Sequence, residues 1–230
     1  MMGAFGRFLE VSVPAPDVLR SLAFYRALGF EELPTGDIRR WHYAVVTDGA
    51  IAIGLHGDGV TEPTLAFVRP QLARQVQALE AAGQAFDFTR LGSDEFHEAA
   101  LRAPDGQLIL MLEARTFSPG GATTGAPLAS LGRCREVTLA CADVGATRAW
   151  FERAGFLPAE DADETTRLVT PGITLGLRAG TPRSVATLRF AARAGGTVLK
   201  KLAALGLAAT TTAEGPALTA PEGTRLVIEG

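Results

Sequence analysis

The sequence is poor in cysteine, in clustered basic residues and in long apolar runs, and each shortage removes a class of function. Only Cys134 and Cys141 occur among 230 residues. Their odd spacing, in or beside a predicted strand, sends them to opposite faces, so no disulfide between them is expected. No apolar run approaches the roughly 20 residues that cross a bilayer, which argues against a membrane partner. The opening residues, MMGAFGRFLEV, hold one Arg and no apolar stretch of signal-peptide length, so a cytoplasmic location is expected. Lys and Arg number 22 against 25 Asp and Glu, with a net charge of -3 and a pI of about 5.7. A basic footprint is what nucleic-acid binding needs, so no nucleic-acid partner is expected. The sequence also contains no G-x-S-x-G, G-x-x-x-x-G-K, C-x-x-C or H-E-x-x-H, and no G-x-G-x-x-G after a strand. A small-molecule ligand is the partner class that remains.

What is present is an internal repeat. Residues 9–30, LEVSVPAPDVLRSLAFYRALGF, match residues 135–156, REVTLACADVGATRAWFERAGF. Glu10/Glu136, Asp17/Asp143, Phe24/Trp150, Tyr25/Phe151, Gly29/Gly155 and Phe30/Phe156 all share one separation, 126. Three further pairs keep their order: IAIGLHG (51–57) with ITLGLRA (173–179), TLAF (64–67) with TLRF (187–190), and APDGQLILML (103–112) with APEGTRLVIE (220–229). The separation falls to 117, so loops are shorter in the second copy. Residues 116–130, TFSPGGATTGAPLAS, read as a linker by composition. The domains are therefore 1–115 and 131–230, the second more degenerate.

Each copy divides again. LEVSV (9–13) alternates as a half-buried strand, after which Asp17 can cap a helix that ends before Gly29. TLAFV (64–68) is again strand-like, and Leu72, Val76 and Leu79 then follow at helical spacing before Gly83. Val198, Leu202 and Leu205 repeat that spacing before Gly206, with Thr197 as the expected N-cap. The unit is β-α-β-β-β, four times over.

The pattern D-x-x-x-S-x-x-F-Y-x-x-x-L-G-F, carried by Asp17, Ser21, Phe24, Tyr25, Leu28, Gly29 and Phe30, resembles the first helix of vicinal-oxygen-chelate proteins, the glyoxalase, bleomycin-resistance and extradiol dioxygenase group. The P-D-G turn at 104–106 resembles that family's closing turn. The resemblance covers nearly the whole chain. It implies an α+β fold of two tandem glyoxalase-like domains, each built from two βαβββ modules that form a curved, mostly antiparallel sheet with a concave pocket.

The resemblance also implies a divalent metal held by His, Gln or Glu on the first strand of a domain, Glu on the fourth, His or a similar residue on the fifth and Glu on the eighth. Carried over to the first copy, these positions fall on Glu10, Gly54, Thr64 and Leu110, and in the second copy on Glu136, Gly176, Thr187 and Val227. One carboxylate per copy does not hold a catalytic metal, so no cofactor is expected. A divalent metal is the alternative, and Glu10 with His56 is the one partial ligand pair, His97 being a third candidate. Glu113 should point away from the face that His56 shares with Gly54.

On this register the first concave face carries Phe8, Glu10, Ser12, Gly54, His56, Thr64, Ala66, Leu108, Leu110 and Leu112. Glu10 and His56 are the catalytic candidates: a buried Glu beside a His can share a proton or simply satisfy it. Trp41, His42 and Tyr43 could stack a planar ligand, or could equally be strand packing. The second face would carry Glu136, Thr138, Gly176, Arg178, Thr187, Arg189, Arg225 and Val227. An Arg facing a Glu there reads as a structural ion pair, with anion binding by Arg189 or Arg225 as the other reading. Two functions stay open: a metal-free small-molecule binder, or a metal-dependent lyase, isomerase or dioxygenase with a relocated ligand set. A monomer with paired domains and a homodimer both remain possible.

Overall fold

The computed structural model describes residues 3–35, 42–114, 130–160, 165–182, 186–191 and 195–229. In the first copy the elements are β1 (Arg7–Pro14), α1 (Val18–Ala27), β2 (Glu31–Leu33), β3 (Tyr43–Thr47), β4 (Ala52–His56), β5 (Thr64–Arg69), α2 (Leu72–Ala81), β6 (Phe88–Arg90), β7 (Glu98–Arg102) and β8 (Leu108–Glu113). The second copy repeats them as β9 (Arg133–Cys141), α3 (Val144–Arg153), β10 (Leu157–Pro158), β11 (Thr166–Thr170), β12 (Ile173–Ala179), β13 (Thr187–Ala191), α4 (Gly195–Ala204), β14 (Thr210–Thr212), β15 (Gly215–Thr219) and β16 (Arg225–Glu229). The β-α-β-β-β unit read from the sequence thus occurs four times.

Helix boundaries follow from local chemistry. Asp17 caps α1 by accepting from the Arg20 N–H at 3.0 Å, and Asp143 caps α3 by accepting from the Ala146 N–H at 2.9 Å. Gly29 and Gly155 follow these helices with φ of 88° and 91°, a left-handed turn that a residue with a Cβ resists. Helix α4 begins at Gly195, two residues earlier than the Thr197 cap expected from the sequence.

Two eight-stranded mixed sheets result, in the orders β2-β3-β4-β1-β5-β8-β7-β6 and β10-β11-β12-β9-β13-β16-β15-β14. Strand β1 runs parallel to β4, and β5 runs parallel to β8. Within each βαβββ module the helix is the crossover that a parallel pair requires. The fold is α+β, two tandem sheets of one plan.

The sheets follow the sequence copies, whereas compactness does not. One compact unit comprises residues 1–10, 64–119 and 139–184, and the other comprises 11–63, 120–138 and 185–230. In the first unit Phe5 sits 5.7 Å from Phe67, 5.4 Å from Trp150 and 6.1 Å from Phe156, ring centroid to centroid. In the second, Phe30 lies 5.2 Å from Tyr25 and 6.1 Å from Phe190. Aromatic pairs at these separations bury large areas and add edge-to-face attraction.

Candidate functional site

Strand alternation divides each sheet into a helix-covered face and an opposite face. In the second unit Val11, Val13, Ala44, Val46, Ile53 and Leu55 are buried, and α1 lies on β3 and β4. Opposite them, Ser12 pairs with Gly54 in the β1–β4 ladder, and Val45 pairs with the same Gly54 in the β3–β4 ladder. Tyr43 and His56 are cross-strand partners on that face, with ring centroids 4.6 Å apart.

The first unit carries the other relevant surface. Leu65, Phe67, Ile109 and Met111 are buried on the face of α2, which packs on β8. On the opposite face the ladders align Thr64–Leu108–Arg102, Ala66–Leu110–Ala100 and Val68–Leu112–Glu98 across β5, β8 and β7. Phe88 on β6 extends the middle row as the partner of Ala100. Leu108, Leu110 and Leu112 are half-buried and Phe88 is 37% exposed, while Ile109 and Met111 beside them are fully buried. Thr64, Ala66, Val68 and Ala100 in the same rows are buried, so the accessible apolar groups are the three β8 leucines and Phe88, bordered by two ion pairs, Arg102 with Asp87 at 2.8 Å and Arg90 with Glu98. Arg90 also stands 5.2 Å from the Phe88 ring centroid. Thr64, 4% exposed, is the buried polar group of these rows, which Arg102 and Glu98 end on β7, and Glu10 on the neighbouring β1 is a buried carboxylate at 3% exposure.

The equivalent rows of the second copy are charged. Thr187–Arg225–Thr219 and Arg189–Val227–Ala217 replace the first two rows, and Glu229 stands where Leu112 does. Arg189 is 2% exposed and its guanidinium hydrogen-bonds through Nε and Nη1, while Nη2 has a carboxylate within ion-pair distance but no hydrogen-bond partner among the described residues. Nε donates to Thr138 Oγ1 at 2.9 Å and lies 3.6 Å from Glu136, Nη1 meets Glu229 at 3.4 Å, and Nη2 meets Glu214 at 3.3 Å. Arg225 pairs with Glu214 at 2.9 Å.

Several residues marked by the sequence fall elsewhere than expected. Phe8 does not line the face of Thr64 and Ala66: its ring lies 5.5 Å from Phe67, and its N–H donates to the Pro171 carbonyl at 3.1 Å. The matching position in the second copy turns the same way. There the register shifts between Arg189 and Phe190, so Glu136 partners Arg189 while Cys134, the counterpart of Phe8, partners Phe190 on the other face. Nor are Glu10 and His56 brought together, because His56 aligns with Pro14 on β1, four residues and about 13 Å along the strand from Glu10. Arg189 brings a guanidinium to Glu136, and Arg178 stands half-buried on β12, two residues beyond Gly176.

His42 forms an exposed pair with Asp58 at 3.0 Å, an interaction worth little in water. His97 is held between the Glu113 carboxylate and the Gly92 carbonyl. Glu113, paired with Arg69 in the ladder, is on the face opposite Leu112, as the pleat requires. Cys134 and Cys141 are free thiols; burial pushes both up, Cys141 to about 12. Trp41 and most of the 116–130 linker lie outside the described residues.

Sequence reasoning missed Phe88, which sits on a three-residue edge strand with no periodicity to reveal it. It also missed the size of the Arg189 network. The signal was the exchange of Ala66, Leu108 and Leu112 for Arg189, Arg225 and Glu229 inside matched motifs, but Glu214 comes from a turn with no such mark.

No family model matches the sequence, and no curated protein matches it. Solved structures do match. An extradiol ring-cleaving dioxygenase from B. fuscum has a TM-score of 0.68 at 15% identity, over 98% of this chain and 71% of that one. The fold is shared with this dioxygenase. Homoprotocatechuate 2,3-dioxygenase from Arthrobacter globiformis gives 0.68 at 14% identity over 98% and 80%. A Mn(II)-bound glyoxalase from Novosphingobium aromaticivorans gives 0.61 at 15% over 96% and 80%.

The sequence resemblance implies a divalent metal, and the donor chemistry here does not fit one. The four positions of the first copy offer one carboxylate, one hydroxyl, a glycine and a leucine. Among the described residues no group of three or more His, Cys, Asp or Glu could hold a metal ion. In the second copy the carboxylates surround a guanidinium. Among the described residues no helix is long and apolar enough to cross a membrane.

Proposed function

We propose that this vicinal-oxygen-chelate-fold protein binds a small, largely apolar molecule over the accessible β8 leucines and Phe88 of the first copy, without the superfamily's usual metal. One observation carries the reading: Leu108, Leu110, Leu112 and Phe88 stay accessible on a face whose counterpart in the second copy is filled by ion pairs. Accessible leucines bordered by a few polar groups are the composition of a ligand site. Covering the exposed part of each half-buried leucine would contribute roughly 1 kcal/mol of transfer free energy. Thr64 and Glu10 supply the polar contacts, Glu10 favouring a cationic or hydrogen-bond-donating substituent.

The test is a thermal-shift and native mass spectrometry screen of small aromatic compounds, repeated on Leu110→Glu and on Glu10→Gln. Leu110 is half-buried, so the glutamate is tolerated in the fold while any compound bound on this face is lost. Compounds that bind Leu110→Glu as well as the unaltered protein would place the site elsewhere. Unchanged affinity in Glu10→Gln would remove Glu10 from it.

The second reading, a metal-dependent lyase, isomerase or dioxygenase with a relocated ligand set, is favoured by the nature of the structural neighbours. Elemental analysis of untagged protein purified without chelator separates the two. Stoichiometric Mn, Fe, Ni, Co or Zn would support the enzyme and overturn metal-free binding, and only traces, persisting after metal is added back, would do the reverse.

A further inference from the structure

We propose that the Arg189 guanidinium is a built-in cation that occupies the cation position of the second copy and seals that copy against metal and ligand. This stands independently of what the first copy binds. Arg189 aligns with Glu136 on β9 and with Val227 on β16, so its Cα lies between the first-strand and eighth-strand positions where the superfamily implies metal ligands. From there one planar cation reaches three carboxylates, Glu136, Glu214 and Glu229, with a different nitrogen toward each. The Thr138 hydroxyl accepts from Nε and in turn donates to Glu136 at 3.2 Å, which ties the first-strand carboxylate into the same cluster.

The charges explain why the tethered cation is retained. Arg225 pairs with Glu214 at 2.9 Å and donates to Thr212, and the exposed Arg135 lies 4.0 Å from Glu229. Arg189 brings a positive charge to within 3.6 Å of the buried Glu136. A buried carboxylate without a countercharge is costly, and a free ion would have to be supplied and held where Arg189 is covalently present. The guanidinium also fills the space: Arg189 is the largest fully buried side chain described. In the first copy the equivalent residue is Ala66, so β5 carries no arginine at that position.

Removal of the side chain should create a site for a free cation of the same chemistry. In Arg189→Ala the melting temperature is expected to fall by roughly 10 °C. Millimolar methylguanidinium chloride should restore part of that loss while leaving the unaltered protein unaffected, and the double variant Arg189→Ala/Glu136→Gln should lose the response. A variant that melts like the unaltered protein, or one that melts lower and ignores methylguanidinium, would overturn the proposal. So would Mn2+ bound by the unaltered protein and lost on Glu136→Gln. If Arg189→Ala does not fold alone, refolding from denaturant with and without methylguanidinium gives the same reading: rescue supports the proposal and continued failure rejects it.

Discussion

His97 meets the Glu113 carboxylate through Nδ1 and the Gly92 carbonyl through Nε2, the latter at 3.0 Å. The Glu113 hydrogen bond is the largest cause that holds this imidazole above its ordinary pKa, followed by the Gly92 contact. The folded value lies above the unfolded one, so the protonated pair stabilises the protein fully below about pH 6.5, the unperturbed value. That contribution disappears as pH rises through the folded pKa. An NMR titration should place the His97 midpoint above that of a free histidine, and Glu113→Gln should bring it down. A midpoint unmoved by Glu113→Gln would show that the carboxylate does not hold the imidazole. None of this could be seen in SDEFHE, because Glu113 is sixteen residues away and joins His97 only through the β7–β8 hairpin. The divergence of the two faces was legible in principle, since Ala66 against Arg189 is a difference inside one shared tetrapeptide.

At the scale of elements, the closing turns clasp the helices of the opposite sequence copy. Glu222, in the P-E-G turn before β16, accepts from Ser21 and from Tyr25 of α1, each at 2.7 Å. Its counterpart Asp105, in the P-D-G turn before β8, accepts from Thr147 of α3 and from the Ala142 N–H at 2.9 Å. Ser21 and Thr147 are themselves counterparts, so the contact is made twice with the copies exchanged. Tyr25 is completely buried, and burial followed by the Glu222 charge keeps its phenol protonated well beyond the ordinary range. Glu222→Ala would leave the buried hydroxyls of Tyr25 and Ser21 without this acceptor and is expected to cost about 2–4 kcal/mol in denaturant unfolding. Ser21→Ala in the same background should then cost little more, which a double-mutant cycle measures. Additive losses would show that the clasp is not a coupled unit. The turn motifs were visible in the sequence as turns, but not as clasps, because their partners lie in the other copy.

For the whole molecule, each compact unit contains modules from both sequence copies. A fragment ending at residue 114 would expose Phe5 and Phe67, which lie against Trp150 and Phe156 of the second copy, and a fragment starting at 130 would expose Phe190, which lies against Phe30. Neither fragment is expected to give a cooperative monomer. Circular dichroism melts with analytical ultracentrifugation should show unfolded or self-associated material, and cooperative monomeric melts from both would show that the shared units are dispensable.

The sequence by itself determined the repeat, the four βαβββ modules, the helix caps at Asp17 and Asp143, and the loss of metal-type side chains at the ligand positions. These are local matters of periodicity, capping and residue identity. Only the tertiary structure decided that Phe8 turns to the aromatic core, that His56 stands opposite Pro14 rather than Glu10, and that Arg189 gathers three glutamates. Those outcomes depend on strand register and on pairing between distant segments, where one shifted residue at a bulge sends a side chain to the other face.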